Sequence, residues 1–495
     1  MSIFSRKPIS SLIAESNESG EHALKKTLGT WGLISLGIGA IIGAGLFSIT
    51  GMAAADYAGP SIVISFIIAA LGCALAGLCY AEFASMIPVA GSAYTYSYAT
   101  MGEFVAWIIG WDLVLEYAVG AATVASSWSG YLDKFLKTMG IDFPPELLMT
   151  PFDTMTLANG DVVTGVMNLP AVFIVIVMSM VLIRGTQESS FVNTIIVIMK
   201  VTIVLIFIAV GFQYIRPENH VPFIPENTGK FGEYGFSGII RAAAVVFFAY
   251  IGFDAVSTAA QETKNPRKSM PLGILGSLLI CTVLYILFAF VMTGVANYKA
   301  YGADPTNKLA PVAIAISNMG DLGPDGVVHA AYPWLNTSIV VAILLGYASV
   351  ILVLRKTMPD APRAFRTPLV PFIPIAGILV CFFMMAFLPL DTWMRLVLWM
   401  IVGLDVYLFY SIKNSNITSQ QTGIMKNANK IVGICGVVFS LVLIGLAIAH
   451  HQVSEINPET GRINDAGLYY FSLIFGILHI LLYGYKSLQG NKQSV

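Results

Sequence analysis

Lys200 stands about ten residues inside the apolar run 190 to 213, which is roughly 15 Å deep at the 1.5 Å rise of an α-helix. That is too deep for easy snorkelling, so the ammonium must find partners or give up its proton. A lysine that exchanges its proton there is the candidate proton-coupling group, and the plainer alternative is a lysine pinned to backbone carbonyls. Asp112 and Glu116 lie four residues apart within the run 104 to 131, on one helical face. Either could pair with Lys200 or meet a cationic substrate side chain. Asp405 and His479, in later apolar runs, read as groups that satisfy local hydrogen bonds.

Two further stretches carry their chemistry in the backbone. The first reads Gly37-Ile38-Gly39-Ala40-Ile41-Ile42-Gly43-Ala44-Gly45-Leu46-Phe47, and each glycine weakens a helix by nearly 1 kcal/mol relative to alanine. A break near Gly43 to Gly45 is expected. In lipid a break is tolerated only where the freed backbone lines a cavity, and N–H groups at the start of a half-helix suit a carboxylate. A GxxxG packing face, Gly39 to Gly43, is the competing reading. The second stretch, Val245 to Ser257, is an apolar helix interrupted by Gly252 and Asp254. Two interrupted spans five apart are the mark of inverted-repeat transporters, whose half-helix ends meet at the bilayer midplane.

The elements that must position these groups follow from composition. The chain is 56% hydrophobic and 11% charged, against about a quarter charged in soluble domains, so lipid is the main solvent. Spans are expected near 30 to 49, 58 to 79, 104 to 131, 166 to 184, 190 to 213, 237 to 258, 271 to 296, 334 to 354, 369 to 388, 393 to 412, 430 to 449 and 467 to 486, about twelve in all. The polar segment 1 to 29 is expected to be cytoplasmic. Basic residues such as Lys264, Arg267, Arg355, Lys356 and Lys430 then fall on the cytoplasmic side, in keeping with the positive-inside rule, and both termini lie inside. Tyr94, Tyr96, Tyr98 and Trp107 read as interfacial belt residues. All five cysteines sit in apolar runs without ligand spacing, so neither a disulfide nor a metal is expected. A net charge of −1 offers no basic stripe for nucleic acid. No nucleophile with a base and no phosphate loop argues for an enzyme, and no cofactor is expected.

The stretches Gly39 to Gly45, Pro88 to Tyr96 (Pro-Val-Ala-Gly-Ser-Ala-Tyr-Thr-Tyr), and Phe247 to Ser257 followed by Glu262-Thr263-Lys264-Asn265-Pro266 resemble the cationic amino-acid transporter branch of the APC superfamily. The resemblance runs from about Leu28 to Asn318 and resumes from about Gly346 to Ile412. It implies an all-α polytopic membrane protein with the LeuT-type inverted-repeat fold, carrying an amino acid together with a proton. Ile42, Gly43, Ala44 and Gly45 match the carboxylate-binding stretch. Phe247, Ala249 and Ile251 match sixth-span positions that face the substrate amino group or gate the site, and Lys200 matches the fifth-span lysine that stands where sodium sits in sodium-coupled relatives.

One departure stands out. Relatives have three spans between the seventh span and the Arg355 to Asp360 stretch, and this chain has room for one, Trp334 to Leu354. Pro333 to Thr337 resembles the start of the family's ninth span and Gly346 to Pro359 the end of its tenth. The expected organisation is therefore a first repeat at 30–213, a shortened second repeat at 237–354, two further spans at 369–412 and a C-terminal helix pair at 430–486. Proton symport of an amino acid is the leading expectation. The alternatives are a non-transporting amino-acid-binding sensor or degenerate transporter, and an exchanger without proton coupling.

Overall fold

The structure, a computed structural model, describes residues 6–16, 28–87, 89, 91–150, 154–156, 161–184, 190–303, 310–322, 328–330, 372–385, 388–411, 422–453 and 466–492. Every expected span except 334 to 354 has a helical counterpart there. That span, with the Pro333 to Thr337 and Gly346 to Pro359 stretches, lies outside the described residues.

The first span is Thr30–Ile41 followed, after an interruption, by π-helical turns Gly45–Ile49 and Ala54–Ala58 around Thr50–Ala53. The second is Ile62–Met86, the third Glu103–Thr138, the fourth Leu169–Arg184 and the fifth Ser190–Gly211. The sixth is Gly235–Val246, a 3-10 turn Phe247–Tyr250 and then Ala255–Thr258, and the seventh is Pro266–Val295. Phe372–Met385, Leu390–Val406, Thr422–Val453 and Ala466–Lys492 complete the helices that matter here. Among the described residues eight runs are long and apolar enough to cross a membrane, the first of which, Thr30–Met86, holds both the first and second spans. Strands form only two short antiparallel hairpins among the described residues, Thr154–Thr156 with Val162–Thr164 and Gly320–Leu322 with Val328–Ala330. The protein is an all-α polytopic membrane protein.

Two compact units result, one from Glu15–Ser92 and Val119–Phe387, the other from Met1–Ala14, Ala93–Ala118 and Leu388–Val495. In the larger unit Phe66, Tyr250 and Tyr285 meet edge-on, and Phe207 and Phe288 lie 4.5 Å apart between ring centres. Its seventh helix ends at Val295, where the last carbonyls have no partner within the helix. The segment after the fifth span supplies partners: Arg216 donates to the carbonyls of Val295 (3.4 Å), Asn318 (3.2 Å) and Gly320 (3.1 Å), and Asn219 Nδ2 donates to Gly294 O at 2.8 Å. Hydrogen bonds from a charged donor are each worth about 1.5–3 kcal/mol. Arg216→Ala is therefore expected to lower stability by about 2 kcal/mol, read as a fall in the melting temperature of the purified protein. An unchanged Tm would show that water replaces the guanidinium at no cost.

In the smaller unit Trp107 joins a stack of indole rings. It stacks on Trp111, and Trp111 on Trp399 at 4.5 Å. Trp111 and Trp399 each donate their indole N–H to the other's carbonyl, at 2.9 and 3.1 Å, while Trp107 donates to Gly403 O at 3.3 Å. An indole buried among helices needs an acceptor, and Gly403 leaves the room, since a Cβ there would stand 2.4 Å from Trp111. Tyr96 is also inside, 4% exposed.

Candidate functional site

The first span breaks at Ile42, which is extended (φ −73°, ψ 104°), while its N–H still donates to Ile38 O. Such a break leaves the carbonyls of the preceding turn without helical partners, and in lipid something must take them. Lys200, 3% exposed, donates from Nζ to Gly39 O at 3.1 Å and Ile42 O at 3.2 Å. Tyr285 of the seventh span places its hydroxyl 2.8 Å from Ile41 O. The lysine is thus held by backbone carbonyls, and those carbonyls belong to the broken helix.

The sixth span breaks beside it. After the 3-10 turn, Ile251 is extended (φ −54°, ψ 133°) and Gly252 takes φ +114°, a conformation that disfavours any side chain. A Cβ on Gly252 would lie 2.7 Å from Ala40 O, and one on Gly45 would lie 2.2 Å from Ala249 Cα. These two glycines let the broken spans touch backbone to backbone. The Tyr285 hydroxyl is also 2.9 Å from Ala249 O, so one proton is shared between a carbonyl from each break. Beside Gly43 the situation is reversed: a Cβ there would meet nothing within 4 Å.

The third span steadies the other side of the first break. Tyr131 donates to Phe47 O at 2.6 Å, and Ser127 and Ser48 share a hydrogen bond. Thr50 donates to Gly45 O at 3.2 Å. Tyr131 and Thr50 thus take carbonyls of the π-helical turn, and Ser127 holds the Ser48 side chain. The Pro88 to Tyr96 motif reaches the sixth break through Ser92, whose hydroxyl donates to the buried Asp254 carboxylate at 3.3 Å; Pro88 and Ala90 themselves lie outside the described residues.

Of the residues singled out from sequence, Ile42, Gly43, Ala44, Gly45, Phe247, Ala249 and Ile251 lie on the two breaks, and Lys200 bonds to the first. Glu116 lies on the third span in the part that belongs to the smaller unit. Tyr285, Tyr131, Ser127 and Ser48 were not singled out, because a hydroxyl inside an apolar run leaves no periodic or charge signal. Among the described residues no cluster of His, Cys, Asp or Glu is placed to hold a metal ion.

A membrane bundle with two spans broken against each other, their loose ends held by buried polar side chains from neighbouring helices, has the construction of a permease. Comparison with known proteins gives its kind. Residues 28–324 match the amino acid permease family, and residues 365–415 match the C-terminus of amino acid permeases. The chain belongs to the amino acid permease family, a family of transporters. It is 39% identical over 474 residues to a methylthioribose transporter and 39% identical over 485 residues to the branched-chain amino acid permease BcaP, both of Bacillus subtilis (strain 168). Each match covers 84% of this chain and 99% of the relative. Cationic amino acid transporter 1 of Arabidopsis thaliana is 35% identical over 351 residues, covering 71% of this chain and 53% of the plant protein.

Proposed function

We propose that the chain carries an amino acid across the cytoplasmic membrane by proton symport, with both termini inside. The observation that supports this most is Lys200 bonded to Gly39 O and Ile42 O, within a few residues of the amides of Gly43, Ala44 and Gly45. These amides begin a half-helix, where a substrate carboxylate is favoured. Proton and carboxylate then act on opposite sides of one break. Protonated Lys200 makes charge-assisted bonds, about twice as strong as neutral ones, so gaining or losing the proton changes how firmly the break is held. The substrate amino group faces the sixth break at Phe247, Ala249 and Ile251, and open space beside Gly43 leaves room for the carboxylate.

The relatives divide the choice of substrate. One carries methylthioribose by name, others branched-chain or cationic amino acids. Methylthioribose is uncharged and has no carboxylate for the half-helix amides, which favours an amino acid here. Competition against bound labelled leucine and arginine decides between them: displacement by unlabelled amino acids and not by methylthioribose is expected, and the reverse would replace the amino acid with the thiosugar.

Tyr285→Phe tests the bridge between the breaks. It leaves two buried carbonyls short of a donor, at a cost of about 1–3 kcal/mol, so substrate affinity is expected to fall roughly tenfold. Wild-type affinity in that variant would show that the two breaks hold their geometry without the hydroxyl.

A further inference from the structure

Asp405 and His479 each stand in an apolar helix of the smaller unit, in Leu390–Val406 and Ala466–Lys492, where an ionisable group is costly and marks function. His479 Nδ1 lies 2.8 Å from Phe475 O, and Nε2 lies 2.9 Å from Asp405 Oδ2. A carbonyl oxygen only accepts, so Nδ1 carries a proton. At Nε2 there are two possibilities. Either it carries a second proton and donates to a carboxylate anion, or Asp405 is protonated and donates to it. In both cases the pair holds one proton more than a neutral imidazole beside an anion, because without it two lone pairs would face each other at 2.9 Å.

The third helix of the unit closes around the same point. Tyr483 Oη donates to Asp405 Oδ1 at 2.8 Å, and its ring fills the space over Gly436 of Thr422–Val453, where a Cβ would come within 2.3 Å. Several other titratable groups on the packed elements are engaged elsewhere, among them His451, which stacks on the Tyr469 ring at 4.1 Å. Lys486, on the helix of Tyr483, sits over the Phe409 ring at 5.3 Å. Asp391 and Arg395, more than two turns before Asp405, pair with each other at 2.8 Å. Tyr407 packs on Phe104 and Trp107, with Glu103 of the third span beyond it, and Thr422–Val453 brings the thiol of Cys435.

We infer that Asp405 and His479 form a proton-binding site in the smaller unit, and that its proton fastens the C-terminal helix pair to the Leu390–Val406 helix. The test uses the full-length protein labelled with [15N]histidine in detergent at pH 7, with His479 assigned by loss of its signal in His479→Gln. N–H protons on both ring nitrogens support the site. So does a protonated-carboxyl infrared band that vanishes in Asp405→Asn, or shifts in Asp405→Glu if the first variant does not fold. A single N–H together with no such band overturns it.

Discussion

Lys200→Met protein is expected to fold and to bind its amino acid, and to lose proton-driven accumulation by at least tenfold. The substitution removes the donor that holds Gly39 O and Ile42 O, which is also the group proposed to carry the coupled proton. Its effect on stability is a balance. Two carbonyls lose a charged donor, a cost of about 1.5–3 kcal/mol each at most, and a buried cation with its desolvation penalty disappears. Transport has no such compensation, since methionine carries no proton at any pH. The measurement is uptake into proteoliposomes under an inward proton gradient, alongside counterflow without a gradient. Counterflow retained while driven uptake disappears would place coupling at Lys200. Driven uptake at the wild-type level would remove Lys200 from the mechanism and leave it as a structural pin.

Valine at Gly43 and alanine at Gly45 should behave in opposite ways, although the two glycines are one turn or less apart. A side chain at Gly43 enters open space, so Gly43→Val is expected to change stability by less than about 1 kcal/mol. It would fill the space beside the half-helix amides and lower amino-acid affinity by more than tenfold. A Cβ at Gly45 would lie 2.2 Å from Ala249 Cα, a backbone atom that cannot swing aside. Gly45→Ala must push the two broken spans apart, and overpacking of that kind costs about 1–3 kcal/mol or more. Tm and equilibrium binding on the two purified variants give the answer. Wild-type affinity in Gly43→Val would refute the carboxylate site, and a wild-type Tm in Gly45→Ala would refute the contact between the breaks.

The sequence made the helices and the breaks legible for different reasons. Long apolar runs have no other stable form in lipid than helices, so the spans are found within a few residues. Clustered glycines point to an interruption in the first span but not to its place: the chain opens at Ile42, while Gly45 serves the close approach to Ala249. Composition reports that a helix is weak there, and only the partner span decides which glycine does what. Depth marked Lys200, because a charge in an apolar run is visible in one dimension. Tyr285 was invisible for the converse reason. A tyrosine in an apolar run reads like any aromatic residue, and its value lies in meeting Ile41 O and Ala249 O, 244 and 36 residues away. Trp107 shows the same blindness, since its acceptor, Gly403 O, stands 296 residues away in the sequence. Asp405 and His479 were each legible as local hydrogen-bonding groups, whereas their pairing across 74 residues was not.

Accumulation of labelled leucine and arginine by the wild-type chain in proteoliposomes, with and without an inward proton gradient, tests proton symport most directly. The proposal predicts uptake above the equilibrium level that requires the gradient and collapses when an ionophore dissipates it. Binding of the same amino acids with no gradient-dependent uptake would contradict it, and would leave a chain that holds an amino acid at the two breaks without driving it across the membrane.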